Sequence, residues 1–192
     1  MDAATVEIYD RRATEWIVRR GEATDGLGVR FRELAGTGVV ADLGCGGGRY
    51  AAEIGPPLVA MDASSSMLEL ARRSGSPLVR GDLEALPFAT GSLAGGFARN
   101  AYLHLPKDRL GPALAELRRT LRSGGLLFMT VLEGGYEGRE LPGDDFEGRY
   151  FTCFEPRELE ALIASVGFSE PSVEPFGRRG ARERGLLATA RR

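Results

Sequence analysis

The sequence predicts an α/β fold built on a parallel sheet, because short apolar strands alternate with amphipathic helices along the chain. The clearest unit is the strand 38-GVVADL-43, which runs into a turn with four glycines among five residues. A second strand, 58-LVAMD-62, follows a short helix, and such βαβ units have right-handed crossovers. The continuous apolar run 126-LLFMTVL-132 is typical of a strand covered on both faces.

The first half of the chain is predicted to hold four helices and three strands. Residues 3–20 form an amphipathic helix with the aromatic side chains Tyr9 and Trp16, and a second helix ends near Leu34. Proline stops helices and serine caps them, which sets the later boundaries. In order after the first strand, we expect a helix at 49–54 that ends before Pro56 and Pro57, the strand 58–62, a helix at 67–73 capped by Ser64 to Ser66, and a strand at 78–82.

The second half begins with a strand at 93–100. Pro106 suits the first turn of a helix in which Leu110, Leu114, Leu117 and Leu121 recur at helical spacing. Glycine commonly follows the last turn of a helix. We therefore expect this helix to end at Gly124 and Gly125, followed by the strand 126–132, a polar glycine-rich stretch at 133–150, a helix at 155–166, and strands 172–176 and 185–190 joined by an arginine-rich turn at 177–184.

Size and composition predict one soluble globular domain. The chain has 192 residues, of which 43% are hydrophobic and 27% charged. Its net charge of −2 provides no overall positive field for nucleic acid or an anionic membrane. Cys45 and Cys153 lack the number and spacing of a disulfide framework or a zinc site. No signal core is visible, and the longest apolar run is too short for a bilayer, so we expect a cytoplasmic protein.

The glycine turn favours a ligand that lies against the backbone. Gly44, Gly46 and Gly48 carry no Cβ that would hold a ligand away, although a tight strand-to-helix junction is the simpler alternative. A dinucleotide fingerprint would need a third glycine where Arg49 or Ala51 stands. The pattern is instead D-x-G-x-G-x-G from Asp42, which resembles the first motif of class I S-adenosylmethionine (SAM)-dependent methyltransferases. A carboxylate there suits a ligand that carries an ammonium group and would repel a pyrophosphate.

The second strand ends in Asp62, twenty residues after Asp42. A carboxylate at this point can accept hydrogen bonds from both ribose hydroxyls. The spacing is shared by nicotinamide-binding and SAM-binding folds, and a helix-capping aspartate is the structural alternative. The third strand leads into 81-GDLEALPFATGSL-93, where the resemblance implies that Asp82 holds the adenine amine and Leu83 meets the ring.

Further motifs extend the resemblance over most of the chain, from about Val39 to Phe168. The run 117-LRRTLRSGGLL-127 resembles the family pattern with Ser123 in place of proline, and Ala94 replaces an aspartate thought to be structural. The family implies a Rossmann-like, doubly wound seven-stranded sheet of order 3-2-1-4-5-7-6 with the last strand antiparallel. It also implies one domain, with residues 1–36 as a helical cap and 37–192 as the core.

The resemblance assigns the cofactor-binding residues. Tyr9 belongs to a Y-D-x-x-A-x-x-W pattern that covers the cofactor in related enzymes, although a core position is an equal alternative. Arg99 could reach a carboxylate of SAM or substrate, or pair with a nearby aspartate, and Cys45 could be a small filler. The predicted contacts with SAM are Tyr9, Asp42, Gly44, Cys45, Gly46, Asp62, Ala63, Met67, Asp82, Leu83, Arg99 and Asn100.

Methyl transfer from a sulfonium depends mainly on alignment, and orientation contributes about 7–11 kcal/mol to such reactions. The candidate general base is His104, the only histidine, although it could instead pack or cap the following helix. Asn100 and Tyr102 share its loop, but both prolines of an N/D-P-P-Y box are missing. No metal is expected.

The acceptor is predicted to be a small molecule. The stretch 133–150 is either a solvated acidic loop or a lid that favours a neutral or cationic substrate; its acids are Glu133, Glu137, Glu140, Asp144, Asp145 and Glu147. Alternatives are an RNA-modifying enzyme that uses the turn from Arg178 to Arg184, a non-catalytic SAM-binding protein, and a nicotinamide reductase. The accepting atom and the choice between monomer and homodimer stay open.

Overall fold

The computed structural model describes residues 1–23, 25–177 and 184–192. The arginine-rich turn expected at 177–184 therefore lies, from 178 to 183, outside the described residues. The helices are α1 (Ala3–Arg20), α2 (Leu27–Ala35), α3 (Ala51–Ile54), α4 (Ser65–Ala71), α5 (Lys107–Thr120) and α6 (Pro156–Ser165). The strands are β1 (Val40–Leu43), β2 (Leu58–Asp62), β3 (Leu78–Arg80), β4 (Leu93–Arg99), β5 (Leu121–Glu133), β6 (Glu137–Gly138), β7 (Phe151–Phe154), β8 (Ser169–Phe176) and β9 (Gly185–Arg191).

The main sheet confirms the predicted topology. Its strands lie in the order β3-β2-β1-β4-β5-β9-β8, in which β9 runs antiparallel to both of its neighbours. With the two short strands β6 and β7 left out of the numbering, this is the order 3-2-1-4-5-7-6. The order reverses beside β1, which pairs with β2 on one side and β4 on the other. Ligands bind at this place in open α/β sheets.

Two short strands extend the predicted seven-stranded sheet. β7 adds parallel to the end of β5, with Leu132 opposite Cys153, and β6 pairs antiparallel to β7. All four residues of 151-FTCF-154 are buried. This segment is therefore part of the core as well as hydrogen-bonded to β5 and β6. The two short strands fix the ends of the polar stretch that follows β5.

Two apolar layers enclose the sheet, because successive side chains of each strand point to opposite faces. On one face, Phe97 of β4 stacks on Phe128 of β5, with ring centroids 5.5 Å apart, and Phe31 of α2 covers both. On the other face, Ala98 and Met129 belong to a cluster that includes the buried leucines of α5. Fully buried side chains on both faces hold the strand ends in fixed positions.

The boundary between α5 and β5 differs from the prediction. The helix ends at Thr120, whose hydroxyl donates to the Leu117 carbonyl at 2.7 Å, and Leu121 is already extended. Leu121 pairs with Leu93 of β4, so the strand begins before the glycines. Gly124 (φ 71°) therefore makes an irregularity inside the strand and does not terminate the helix. Tertiary strand pairing overrides the local stop signal here.

Candidate active site

A cavity of about 380 Å³ opens at the carboxyl ends of β1 and β4. Ten of the residues predicted to bind SAM or the acceptor line it, and these are Tyr9, Asp42, Gly44, Cys45, Gly46, Asp62, Met67, Arg99, Asn100 and His104. Residues that lie far apart in sequence therefore converge on one space. Its other walls come from α1 and from the segment between β5 and β7.

The glycine turn forms the floor of the cavity, and its conformation requires glycine. Gly44 has φ 73° and Gly46 has φ 53°, both in the left-handed region that side chains disfavour. A Cβ at Gly44 would come within 2.5 Å of the Ala101 Cβ. The amides of Gly44 and Cys45 donate to the Met61 carbonyl at 2.8 and 2.9 Å, which ties the turn to β2. The backbone itself therefore faces the cavity.

Two carboxylates stand beside this turn. Asp62 accepts from the Gly46 amide at 2.8 Å and from the Ser64 amide at 2.9 Å. Asp42 is buried, and its Oδ2 atom has no hydrogen-bond partner in the described part of the chain. Burial, together with the charge of Asp62, raises the pKa of Asp42 to about 8. Burial also raises the pKa of Asp62. The pair thus favours a cationic ligand that would restore charge balance.

Arg99 supplies the opposite charge in the same cavity. Its Nη1 donates to the Thr130 hydroxyl at 3.1 Å, while Asp25 lies 3.8 Å away from Nε. The Nε atom is buried without a hydrogen-bond partner among the described residues. An acidic oxygen and a guanidinium nitrogen, neither with a hydrogen-bond partner among the described residues, together match the ammonium and carboxylate of an amino-acid moiety. The methionyl end of SAM has this chemistry, so the residues present fit the predicted cofactor.

The end of β4 is locked in an uncommon backbone conformation at Asn100. This residue has φ 55°, which costs free energy for a residue other than glycine. Thr130 holds it in place: its hydroxyl accepts from the Asn100 amide at 3.0 Å and donates to Oδ1 at 2.8 Å. The backbone between Arg99 and Ala101 is thereby turned along the cavity wall.

A chain of polar side chains forms the opposite wall. The Arg149 Nη1 donates to the Tyr9 hydroxyl oxygen at 2.7 Å, and that hydroxyl lies 2.8 Å from the His104 Nε2. The His104 Nδ1 lies 2.6 Å from the Tyr150 carbonyl oxygen. Arg149 is 5% exposed and pairs through two nitrogens with Asp144, which is 6% exposed.

His104 is placed in the wall as a neutral imidazole. Burial, with a further contribution from the Arg149 charge, lowers the pKa of His104 to about 4. Its ring packs edge-on against Tyr9 and tilts over Phe151, with centroids 4.9 Å apart in the second pair. The imidazole is therefore neutral near pH 7, and both nitrogens already have hydrogen-bond partners. The predicted role as a direct general base stays a prediction, and this geometry gives it little support.

Helix α1 covers the glycine turn. A Cβ at Gly46 would lie 3.3 Å from Cη2 of Trp16, and a Cβ at Gly47 would overlap Cδ1 of Ile17. Asp10 accepts from the Ser64 hydroxyl at 2.6 Å and the Ser66 amide at 3.0 Å, so α1 also helps to cap α4. The expected helical lid is thus in contact with the floor it was predicted to cover.

The segment 139–151 completes the cover and is tied to α1 by polar contacts. The Arg139 Nη2 donates to Asp2 at 2.6 Å, and Arg20 pairs with Asp145 at 2.7 Å. The Tyr150 amide donates to the Thr5 hydroxyl at 2.8 Å. Asp144 and Asp145, the two acids of this stretch that reach the cavity, are each paired with an arginine. The pairing does not favour the idea that these acids attract a cationic substrate.

Three predicted contacts lie outside the cavity lining. Leu83 is a core residue with 1% exposure. Asp82 accepts from the Met1 amine at 2.6 Å and from the Glu84 amide at 3.0 Å, which lowers its pKa although burial acts in the opposite direction. Ala63 is partly exposed beside Asp62, and its carbonyl accepts from Arg80. Their assignment to the cofactor stays a prediction.

The sequence reasoning missed the residues that build the cover side of the site. Arg149 and Asp144 stand in a stretch for which a solvated loop was one of two alternatives, and Trp16 was part of the lid pattern but was assigned no contact of its own. A usable signal was the Y-D-x-x-A-x-x-W pattern, which contains both Tyr9 and Trp16. Arg149 had no comparable signal, because its partner Tyr9 is 140 residues away.

No helix within the described residues is long and apolar enough to cross a membrane. Across the same ranges, no group of three or more histidine, cysteine or acidic side chains is arranged to hold a metal ion.

Comparisons with known proteins agree with the interpretation of the cavity as a SAM site. Residues 41–129 match the family model described as a methyltransferase domain. Over 103 residues the chain is 37% identical to a malonyl-[acyl-carrier protein] O-methyltransferase of Legionella pneumophila, covering 48% of this chain and 36% of that protein. The chain spans between 36% and 54% of the length of the curated relatives that it matches.

Solved structures show the same fold. A SAM-dependent methyltransferase from Thermotoga maritima, described as a possible histamine N-methyltransferase, superposes with a TM-score of 0.75 at 20% identity, covering 96% of this chain and 98% of that one. The structure of DhpI with S-adenosylhomocysteine (SAH) has a TM-score of 0.75 at 22% identity, covering 100% of this chain and 98% of that one. The chain therefore has the fold of these SAM-dependent methyltransferase structures, and its residues 41–129 match the methyltransferase-domain model.

Proposed function

We propose that the chain binds SAM in the cavity at the ends of β1 and β4 and transfers its methyl group to a small-molecule acceptor. In this proposal Asp42 and Arg99 hold the ammonium and carboxylate of the methionyl end. Asp62 accepts the ribose hydroxyls, and the glycine turn lies against the nucleoside. The bound SAM supplies an activated methyl group, so the chain has to orient the acceptor and exclude water.

The observation that carries the proposal is the unpaired, buried carboxylate oxygen of Asp42 in the cavity. A buried acid without a partner is costly, and natural proteins retain such groups mainly at functional sites. The Arg99 Nε provides an independent second group of opposite charge. A structural role does not explain why both groups lack a hydrogen-bond partner in the described part of one cavity.

A small acceptor is supported by the size and closure of the site. The cavity of about 380 Å³ lies under α1 and the segment 139–151, which leaves room for a compact molecule beside SAM. The names of the relatives do not transfer directly, because the matched family model ends at residue 129, before the cover segment begins. The acceptor class has to be inferred from this chain's own residues.

The test is calorimetric titration of SAM and SAH into the purified chain and two variants. Asp62→Asn removes the charge that would pair with the ribose, and a charge-assisted hydrogen bond contributes about 1.5–3 kcal/mol. We therefore expect its dissociation constant to rise by about 10- to 100-fold. Glu69→Gln is the matched control, because this exposed acid of α4 pairs, among the described residues, with Arg72 alone at 2.6 Å.

Failure of the wild-type chain to bind either compound would refute the proposed site. Equal affinity in Asp62→Asn and Glu69→Gln would show that the ribose assignment is wrong. Release of SAH from SAM in the presence of an acceptor separates an enzyme from a protein that only binds SAM. Nicotinamide dinucleotides serve as the negative ligands.

A further inference from the structure

We propose that Tyr9 is the residue that receives the methyl acceptor, and that His104 and Arg149 position its hydroxyl so that only an acceptor bearing an O–H or N–H group fits. This inference rests on the proposed function, since it concerns the acceptor side of the same cavity. Tyr9, His104 and Arg149 all line that space.

The carbonyl of Tyr150 fixes the tautomer of His104. A carbonyl oxygen only accepts hydrogen bonds, so the Nδ1 atom, 2.6 Å away, must carry the proton. The imidazole is neutral because burial lowers its pKa to about 4, and Nε2 therefore keeps a free lone pair. The Tyr9 hydroxyl, 2.8 Å from Nε2, must be the donor of that hydrogen bond. The phenolic proton of Tyr9 is thus committed to His104.

Arg149 occupies one side of the Tyr9 oxygen. Its Nη1 donates to that oxygen at 2.7 Å, and the guanidinium cannot act as an acceptor. The guanidinium is held by Asp144 and by the faces of Tyr9, Phe146 and Phe151, whose centroids lie 5.0–5.2 Å from its central carbon. Arg149 therefore stays charged and in place beside the phenol.

One acceptor position remains on the Tyr9 oxygen. A phenolic oxygen can donate one hydrogen bond and accept two. The Tyr9 hydroxyl donates its proton to His104, and one of its two lone pairs accepts from Arg149. The remaining position can only receive a hydrogen bond. A hydroxyl or an amine can supply this hydrogen bond, whereas a carboxylate offers no hydrogen to Tyr9. Tyr9 therefore selects the class of acceptor as well as its orientation.

The same arrangement gives a route for the acceptor's proton. As the acceptor's lone pair forms a bond to the methyl carbon, the carbon–sulfur bond breaks and its electron pair stays on sulfur. The proton on the acceptor atom moves to the Tyr9 oxygen, and the phenolic proton moves to the His104 Nε2. The resulting imidazolium then releases a proton to solvent. Arg149 stabilises negative charge that develops on the phenol during the transfer.

The first test uses the fact that His104 is the only histidine in the chain. In ¹⁵N-labelled protein made without a histidine tag, long-range ¹H–¹⁵N spectra at pH 7 report one imidazole. We expect a protonated Nδ1 and an unprotonated, hydrogen-bonded Nε2. In Tyr9→Phe the Nε2 resonance should move to the position of a free lone pair. A proton on Nε2, or no change in Tyr9→Phe, would overturn the inference.

The second test separates positioning from proton uptake. SAH release is followed with simple phenols, primary amines and short carboxylic acids as probe acceptors. Tyr9→Phe should lower kcat by at least about tenfold with the phenol or amine that the wild type methylates, in the range of general acid–base effects. In His104→Gln the amide oxygen can accept from Tyr9 but cannot take up its proton. We expect near-normal KM and a reduced kcat in this variant.

The outcomes distinguish this inference from the proposed function. The dissociation constant for SAH is measured in each variant, because Tyr9 is also one of the predicted SAM contacts, and kcat is compared at saturating SAM. Loss of SAH binding in the wild type would refute the proposed function itself. Normal SAH binding with methylation of carboxylic acids only, or with full kcat in Tyr9→Phe, would refute only the inference about Tyr9.

Discussion

Replacing Asp42 with asparagine should stabilise the free protein and weaken its hold on SAM. The carboxylate is 1% exposed, and one of its oxygens has no partner among the residues described. Asparagine has nearly the same shape and removes the charge. The ligand-free structure therefore gains stability where the carboxylate would be ionised, while the group expected to bind the ammonium is lost.

The size of the effect follows from the shifted titration. The pKa of Asp42 rises from 3.8 to about 8 in the folded chain, so between these values the folded state retains a proton that the unfolded state has released. Stability of the wild type therefore falls as the pH rises through this window. At about 1.4 kcal/mol for each unit, the ceiling is about 6 kcal/mol. Water that enters the cavity screens the charge, and we expect a gain of about 2–3 kcal/mol at pH 8.

The assay is urea unfolding and thermal melting of the wild type and Asp42→Asn at pH 5 and pH 8, without ligand. A gain of this size corresponds to an increase of about 4–12 °C in Tm at pH 8, and it should shrink toward pH 5. SAH affinity should fall by about 10- to 100-fold. Glu69→Gln should change neither value. Equal or lower stability of Asp42→Asn at pH 8 would refute this account of the cavity.

Two further changes test the cover of the cavity. Gly47→Ala should lower SAH affinity and Tm because its Cβ would overlap Ile17 of α1; adding Ile17→Ala should restore both, and a single variant with wild-type values would show that the contact is unimportant. Asp144→Asn should lower the free energy of unfolding by about 3–5 kcal/mol in urea titrations, because it leaves the buried Arg149 unpaired. The double variant with Arg149→Met should recover most of that loss, and a loss under about 1 kcal/mol in the single variant would contradict the reasoning.

The floor of the site could be predicted from sequence because its signals are local. Asp42 and the glycine turn follow a strand directly, and Asp62 ends the next strand. Parallel strands bring their carboxyl ends to one edge of the sheet, so these side chains had to converge. The order of the strands came from the resemblance to a family, since periodicity alone does not determine which strands are neighbours.

The cover could not be predicted in the same way. Arg149 and Asp144 have the composition of a solvated loop, and only the fold shows that they are buried beside Tyr9. The predicted helix end near Gly124 was wrong for a similar reason. Leu121 pairs with Leu93, so the strand begins at Leu121, before the glycines. In each case a contact between distant parts of the chain decided the local structure.

The two parts of the cover come from opposite sides of the segment that matches the family model. Helix α1 precedes residue 41 and the segment 139–151 follows residue 129, while polar contacts such as that between Arg139 and Asp2 join them. Substitutions in these two flanking pieces that spare the contacts of α1 with the glycine turn and with α4 therefore leave the floor unchanged. A chain arranged in this way can come to accept a different small molecule through changes in α1 and the segment 139–151, while the glycine turn and its two carboxylates stay the same.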